Sequence, residues 1–453
     1  MFRKVLIANR GEIALRVIRA CRELGIRTVA VYSEADVNAL HVRFADEAVC
    51  IGPPQARASY LHIPNVISAA DITGADAVHP GYGFLAENQQ FAEAVRAHGM
   101  EFIGPSAECL GTFGDKLSAK AAARAAGVPL LPGSSGSVAD VDEAAEVAAK
   151  TGYPVLLKAA FGGGGKGMRI AVDEDALRRL FSVTSAEALA AFGNGAVFVE
   201  RFLPAPRHVE VQVAGDKYGV AIHVGERDCS MQRRHQKLVE EAPAPGLSDA
   251  LRDAIRGAAV ALAQHSAYHT VGTCEFLVQG DEFFFLEVNP RIQVEHPVTE
   301  EVFGVDLVQL QIRLAAGERM PLRQEDIVAR GHAIEVRVNA EHPWTFIPSP
   351  GRIVGYHAPG GPGIRIDSAV HENAMVQPYY DSLVAKLIVR GHSREAAMMR
   401  LRGAMSEFVV DGIHTTLPLQ RALLEDPAFA ELRFHTRFVD QWLEARKGRT
   451  EAP

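Results

Sequence analysis

The chain has little cysteine, no excess of positive charge and no long apolar run, and each shortage excludes something. Its five cysteines (Cys21, Cys50, Cys109, Cys229 and Cys274) are an odd, scattered set without a Cys-x-x-Cys pair. They support neither a disulfide framework nor a thiolate metal site, and a reducing cytoplasm is the simpler setting. Lys plus Arg at 47 against Asp plus Glu at 55 leaves a net charge of −8. Such a field does not draw in a polyanion, so nucleic acid is not expected as a partner. Arg3, Lys4 and Arg10 bracket only the short run Val5-Leu-Ile-Ala8, too little for a secretory h-region or a membrane span. No other stretch is long enough to cross a bilayer, so no membrane partner is expected.

What is present is an ordinary globular composition, 48% apolar and 23% charged over 453 residues, enough for roughly three domains at about 150 residues each. From Met1 to about Pro105, short apolar runs alternate with helical spacing. Val5–Ala8, Thr28–Tyr32, Ala77–His79 and Glu101–Ile103 read as strands, and Ile13, Val17, Ile18, Cys21 and Leu24 as one face of a helix stopping at Gly25. That order predicts a parallel, doubly wound α/β sheet with a crevice at its strand ends. The first turn, Asn9-Arg10-Gly11-Glu12, lacks G-x-G-x-x-G, which disfavours a dinucleotide. An Ala-rich helix from Asp115 to Ala126 leads into a Pro/Gly loop at Val128–Gly136, where a smaller unit begins. Strands dominate afterwards, including His208–Val213, Ala221–Val224, Cys274–Val278, Glu282–Asn289 and His332–Val338.

Four segments carry chemistry. Lys158-Ala-Ala-Phe-Gly162-Gly163-Gly164-Gly165-Lys166-Gly167 sets four consecutive glycines between two strands, either a phosphate-closing loop of bare N–H groups or a flexible hairpin tip. It is not a P-loop, because Gly167 follows the lysine and a strand follows the loop. If Gly280-Asp281-Glu282 forms a three-residue turn, Glu275 lies directly across from Glu287, with Asn289 on the same face. Two opposed carboxylates beside a nucleotide suit Mg²⁺; the competing reading is a solvated outer face, and a two-residue Gly-Asp turn would break the register. Arg291, Gln293 and Glu295 alternate in an extended stretch, a cation, a neutral donor and a carboxylate suited to a small oxyanion, with Arg337 available to add charge. An exposed polar strand face is the alternative. The donor-dense run Glu226 to Lys237 is expected as a phosphate-facing loop, and Cys229 within it as a small buried residue.

Taken together, these motifs make the chain resemble biotin carboxylase, the ATP-grasp component of biotin-dependent carboxylases, over essentially its whole length. The supporting strings are Val5 to Ala14, His79-Pro-Gly-Tyr-Gly-Phe-Leu85, Phe102 to Ser106, the glycine loop, Glu226 to Pro243, Asn289 to Thr299, Pro348 to Ile353 and Tyr379 to Leu383. The resemblance implies an ATP-grasp fold in four units: a Rossmann-like unit at 1–114, a small lid unit at 115–204, a larger metal- and bicarbonate-binding unit at 205–330, and a mixed α+β unit at 331–447. It implies that Lys116 and Lys158 contact ATP phosphates under the loop Gly162 to Gly167, and that Glu200, Leu203 and the backbone of Arg201 hold the adenine. His208, Gln232, His235 and Lys237 would line the nucleotide and phosphate region. Glu275 and Glu287 would hold Mg²⁺, or Mn²⁺, with Asn289 close by. Arg291, Gln293 and the Val294 backbone would bind bicarbonate, Glu295 would be its general base, and Arg337 would stabilise the biotin enolate.

The implied product is carboxybiotin, made through carboxyphosphate on a biotin carboxyl carrier protein that also serves a carboxyltransferase subunit. Acetyl-CoA is the expected acceptor, in fatty acid biosynthesis, and a homodimer with Arg19 and Glu23 at its interface the expected assembly. The chain holds no Met-Lys-Met biotinylation site, so biotin is expected to arrive on another protein or another part of a longer chain. Phe113, Phe161 and Pro290 depart from the common family pattern without touching a proposed catalytic side chain. A carboxylate-amine ligase would share the glycine loop and metal acids but not the Arg291-to-His296 string with Arg337. A catalytically silent subunit would have no need of Glu275, Glu287, Arg291, Glu295 and Arg337 together.

Overall fold

The structure is a computed structural model that describes residues 1–159, 168–192 and 195–446. Among them, the N-terminal part forms a parallel five-stranded sheet in the order Glu47–Cys50, Arg27–Tyr32, Lys4–Ile7, Ala77–His79, Glu101–Phe102. The apolar runs expected as strands are those strands, because a parallel sheet covered on both faces needs continuous rather than alternating hydrophobicity. Lys4–Ile7 is buried at every position, and the helix Gly11–Glu23 covers it with Ile13, Val17, Ile18 and Cys21. Glu47–Cys50 escaped the sequence reading, since an edge strand with alternate residues exposed carries no apolar run.

A small antiparallel sheet orders Met168–Ala171, Val155–Ala159 and Val197–Arg201, with its own core of Ala144, Ala148, Val155, Leu157, Leu177 and Val199. The largest sheet has eight strands: Glu282–Asn289, Thr270–Gln279, Arg207–Gly215, Ala221–Arg233, Gln236–Ala242, His332–Asn339, Leu383–Gly391 and Ile364–Ser368. Residue 330, an expected unit boundary, falls between strands of this one sheet.

Two local expectations need correction. The segment Glu226 to Lys237 is no loop: it is the buried end of Ala221–Arg233, the turn Arg234-His235, and the start of Gln236–Ala242. Its charges are paired with distant residues, Glu226 with Arg252 and Arg256, Arg227 with Glu210, and Asp228 with Arg207. Local charge density cannot report partners that far away in sequence. The second correction concerns the hairpin. Gln279 pairs with Glu282 across a two-residue turn, with Gly280 at φ 61, and a bulge between Glu275 and Phe276 then shifts the register by one residue. Glu275 does face Glu287, through the bulge instead of the expected three-residue turn.

Candidate active site

The small sheet, the eight-stranded sheet and two segments of the N-terminal part, Asn9–Ile13 and Tyr82–Phe84, line a cavity of about 900 Å³. Of the described residues picked out from sequence, Lys116, Lys158, Arg201, Leu203, His208, Gln232, His235, Lys237, Glu275, Glu287, Asn289, Arg291, Gln293, Val294 and Arg337 all line it. Glu200 and Glu295 are buried and reach the site through the cations they hold. Gly162, Gly163, Gly164, Gly165, Lys166 and Gly167 lie outside the described residues.

On one side, Lys158 extends from Val155–Ala159 and Glu200 from the neighbouring Val197–Arg201. The Glu200 carboxylate accepts from Lys158 and Lys120, one lysine on each oxygen. Burial alone would raise this carboxyl, but the two ammonium groups hold it down at about 2. Each engaged oxygen keeps a further lone pair, and the Glu200 backbone carbonyl is another acceptor on offer to an adenine. The Arg201 N–H already donates to the Pro132 carbonyl at 2.8 Å, and its side chain pairs with Glu282 at 3.0 Å, so Arg201 likewise offers a carbonyl. Lys120 was missed in the sequence; its signal is the four-residue spacing from Lys116, which puts both on one face of the helix Lys116–Ala125.

In the middle, Glu287, Glu275 and Glu210 form a row across three adjacent strands. Lys237 Nζ reaches Glu210 at 2.6 Å, Glu275 at 2.9 Å and Glu295 at 2.5 Å. Glu275 Oε1 also accepts from Asn289 at 2.9 Å and Gln293 at 3.0 Å, while His208 Nε2 lies 2.9 Å from its other oxygen. Glu210 was another miss, though the polar alternation His208, Glu210, Gln212 marks it as facing the same way. Among the described residues, no Lys, Arg or His lies within ion-pair distance of Glu287; it is exposed to the cavity, and desolvation at the cavity wall together with the like charge of Glu275 raises its carboxyl. An acid facing an acid at the cavity wall, with an amide beside them, is a hard-oxygen donor set that a divalent cation fits. The acidic set His208, Glu210 and Glu275 is a poorer candidate, because the Lys237 ammonium already bonds to both of its acids.

On the far side, Glu295 has Lys237 on one oxygen and Arg337 on the other, the latter at 2.8 Å. Burial would raise its carboxyl, yet Lys237, Arg337 and Arg227 hold it well below the usual carboxylate range. Arg337 also donates to Glu240 at 2.6 Å, and burial pushes Glu240 up to about 7 despite Arg337. Arg291 is anchored by Glu87 at 2.9 Å and by the Asn289 side chain at 3.1 Å. Cys229 is buried with Sγ 4.0 Å from Glu295, and burial holds its thiol well above the normal value. The turn between Ala221–Arg233 and Gln236–Ala242 carries His235 at φ 67 next to Arg234 at φ 47, left-handed geometry that non-glycine residues rarely adopt.

The chain therefore brings lysines, opposed carboxylates and the side chains of Arg291, Gln293 and Arg337 to one cavity, with Glu295 held behind them. Three family models match it: "Biotin carboxylase, N-terminal domain" over residues 1–110, "Carbamoyl-phosphate synthase L chain, ATP binding domain" over 115–323, and "Biotin carboxylase C-terminal domain" over 335–441. The chain is 52% identical over 444 residues to a biotin carboxylase of Pseudomonas aeruginosa, covering 98% of this chain and 99% of that one. It is 51% identical to a pyruvate carboxylase subunit of Methanothermobacter thermautotrophicus, covering 98% and 90%. Among solved structures, it is similar to the biotin carboxylase domain dimer of Hydrogenobacter thermophilus 2-oxoglutarate carboxylase in complex with MgADP, ADP and bicarbonate. That similarity has a TM-score of 0.90 at 48% identity, covering 97% of this chain and 98% of the other.

Proposed function

The chain belongs to the biotin carboxylase family, and on that premise we propose how its residues carry the reaction. It is an ATP-dependent ligase of ATP-grasp fold that uses ATP, Mg²⁺ and bicarbonate. Lys116 and Lys158 hold the ATP phosphates. The backbone at Glu200 and Arg201, with Leu203, His208, Gln232 and His235, holds the rest of the nucleotide. Glu275 and Glu287, with Asn289 beside them, would hold Mg²⁺, which neutralises phosphoryl oxygens when bound. Arg291, Gln293 and the Val294 N–H fix bicarbonate, and Glu295 takes its proton as it attacks the γ-phosphorus to give carboxyphosphate and ADP. Lys237 screens the acids from one another.

Carboxyphosphate then yields CO₂ and phosphate, the phosphate removes the biotin N1′ proton, and Arg337 steadies the enolate oxygen. The observation that carries this reading is the shared cavity in which Lys158, the opposed Glu275 and Glu287, and the Arg291–Val294 stretch with Arg337 all meet.

We assign the small sheet within 115–204 to a lid because it has a core of its own, and keep 1–114, 205–330 and 331–447 as the other units. Biotin arrives on a carrier protein, and a carboxyltransferase subunit uses the product. Acetyl-CoA is the proposed acceptor, in a cytoplasmic homodimer of the fatty acid pathway; the likeness to a pyruvate carboxylase component supports pyruvate as the second reading. Among the described residues, no helix is long and apolar enough to cross a membrane. The test is ADP release dependent on both bicarbonate and biotin, followed by transfer of ¹⁴C from bicarbonate to acetyl-CoA or pyruvate by the co-purifying partners. Release without bicarbonate dependence would refute the assignment.

A further inference from the structure

The loop between the strand Glu282–Asn289 and the helix His296–Phe303 is braced from two sides by residues to which the preceding mechanism gives no part. We propose that His296 and Lys386 are positioning residues that fix the peptide planes on either side of Val294, and so aim its N–H and the Glu295 side chain at the one-carbon anion. This rests on the reading of the anion pocket given above.

His296 Nδ1 lies 2.7 Å from the Gln293 carbonyl oxygen. A carbonyl only accepts, so Nδ1 carries the hydrogen. The peptide joining Gln293 to Val294 is trans, cis bonds occurring at Tyr153-Pro154 and Ala242-Pro243. In a trans peptide the C=O of one residue and the N–H of the next point in opposite directions. Holding the Gln293 carbonyl on His296 therefore turns the Val294 N–H away from His296. Val294 lines the cavity, and among the described residues no acceptor takes its N–H.

The next carbonyl is held in the same manner. Lys386 Nζ donates to the Val294 oxygen at 2.8 Å, which orients the peptide leading into Glu295. Lys386 is fully buried, with its charge balanced by Glu12 at 3.2 Å and Asp367 at 3.9 Å. Both braces stand on rigid elements, His296 as the first residue of its helix and Lys386 inside the strand Leu383–Gly391. The imidazole is fully buried, and its Nε2 has no hydrogen-bond partner. Burial and the charges of Lys386, Arg16 and Arg365 keep it neutral, so its one N–H is committed to the carbonyl.

The test uses steady-state ADP release by the full chain with separately varied bicarbonate and ATP. His296→Leu removes the donor and is expected to raise the KM for bicarbonate about tenfold while leaving the KM for ATP unchanged. His296→Asn, whose amide can still donate, is expected to restore most of that loss, and Lys386→Met to repeat the selective rise. Equal rises in both KM values, or an Asn variant as impaired as the Leu variant, would make the bracing general packing and overturn the proposal. Should His296→Leu and Lys386→Met fail to fold by circular dichroism, His296→Asn decides alone: a bicarbonate KM within about threefold of wild type supports the brace, and any larger rise overturns it. Wild-type protein without any bicarbonate-dependent release overturns the underlying reading, and this one with it.

Discussion

Glu200 and Glu295 are both buried glutamates gripped by two cations, and their surroundings set them apart. Glu200 holds Lys120 and Lys158, whose side chains are 31% and 30% exposed, on a three-stranded sheet. Glu295 holds Lys237 and Arg337, exposed by only 11% and 17%, beside an eight-stranded one. The lysines of Glu200 are partly solvated, so one can turn toward a substrate phosphate while the other keeps the buried carboxylate paired. Those of Glu295 are shared with Glu210, Glu275 and Glu240, so moving one leaves other acids buried without a partner, a costly state. On the proposed reading, the same local chemistry serves as an adjustable phosphate contact in one region and as fixed geometry for proton transfer in the other.

The largest expected effect tests the fixed side. Glu295→Gln and Arg337→Ala should each lower kcat by about 10²–10⁴-fold while ATP affinity, followed by calorimetry, stays unchanged. Parallel loss of ATP binding would break the distinction between the two clusters. Next, Lys158→Met should raise the KM for ATP about ten- to hundredfold, the worth of one charge-assisted hydrogen bond, with a smaller change in kcat. A predominantly kcat effect would move Lys158 to the chemical side.

The acid response of Glu200 sharpens the comparison further. Its folded carboxyl sits at about 2 against 4.5 unperturbed, so its stabilisation is present above about pH 4.5 and is lost as pH falls toward 2. Between pH 5 and 3, wild type should lose about 2 kcal/mol that Glu200→Gln does not, read from urea midpoints. The smallest effect concerns thiols. Cys21, Cys109, Cys229 and Cys274 are buried and Cys50 is exposed, so a maleimide should label Cys50 alone in the folded protein and leave activity intact. Labelling of Cys229, adjacent to Glu295, would show that the fixed cluster opens.

Much of this was legible from the sequence because it depends on local chemistry. The runs Val5–Ala8 and Ala77–His79 announced a buried parallel sheet, whereas the expected extended alternation of Arg291, Gln293 and Glu295 ends in a turn at Val294–Glu295, with Glu295 at ψ 9. The opposed pair Glu275 and Glu287 was found as well, although the bulge that aligns them was not, since nothing at Leu286 distinguishes a bulged from a regular strand. Lys120, Glu210, Glu240 and Lys386 were missed for a different reason. Each gains its role from a partner between 27 and 97 residues away, such as Lys237 for Glu210, Arg337 for Glu240 and Val294 for Lys386.

Residue order alone therefore determined the layered α/β class and the candidate side chains for nucleotide and anion chemistry, because strand periodicity, glycine content and charge alternation act over a few residues. The tertiary structure decided which acids face one another, which cations neutralise them and which carbonyls His296 and Lys386 hold. Those outcomes depend on how strands pack side by side, and Coulomb and hydrogen-bond energies follow distance in space rather than distance along the chain.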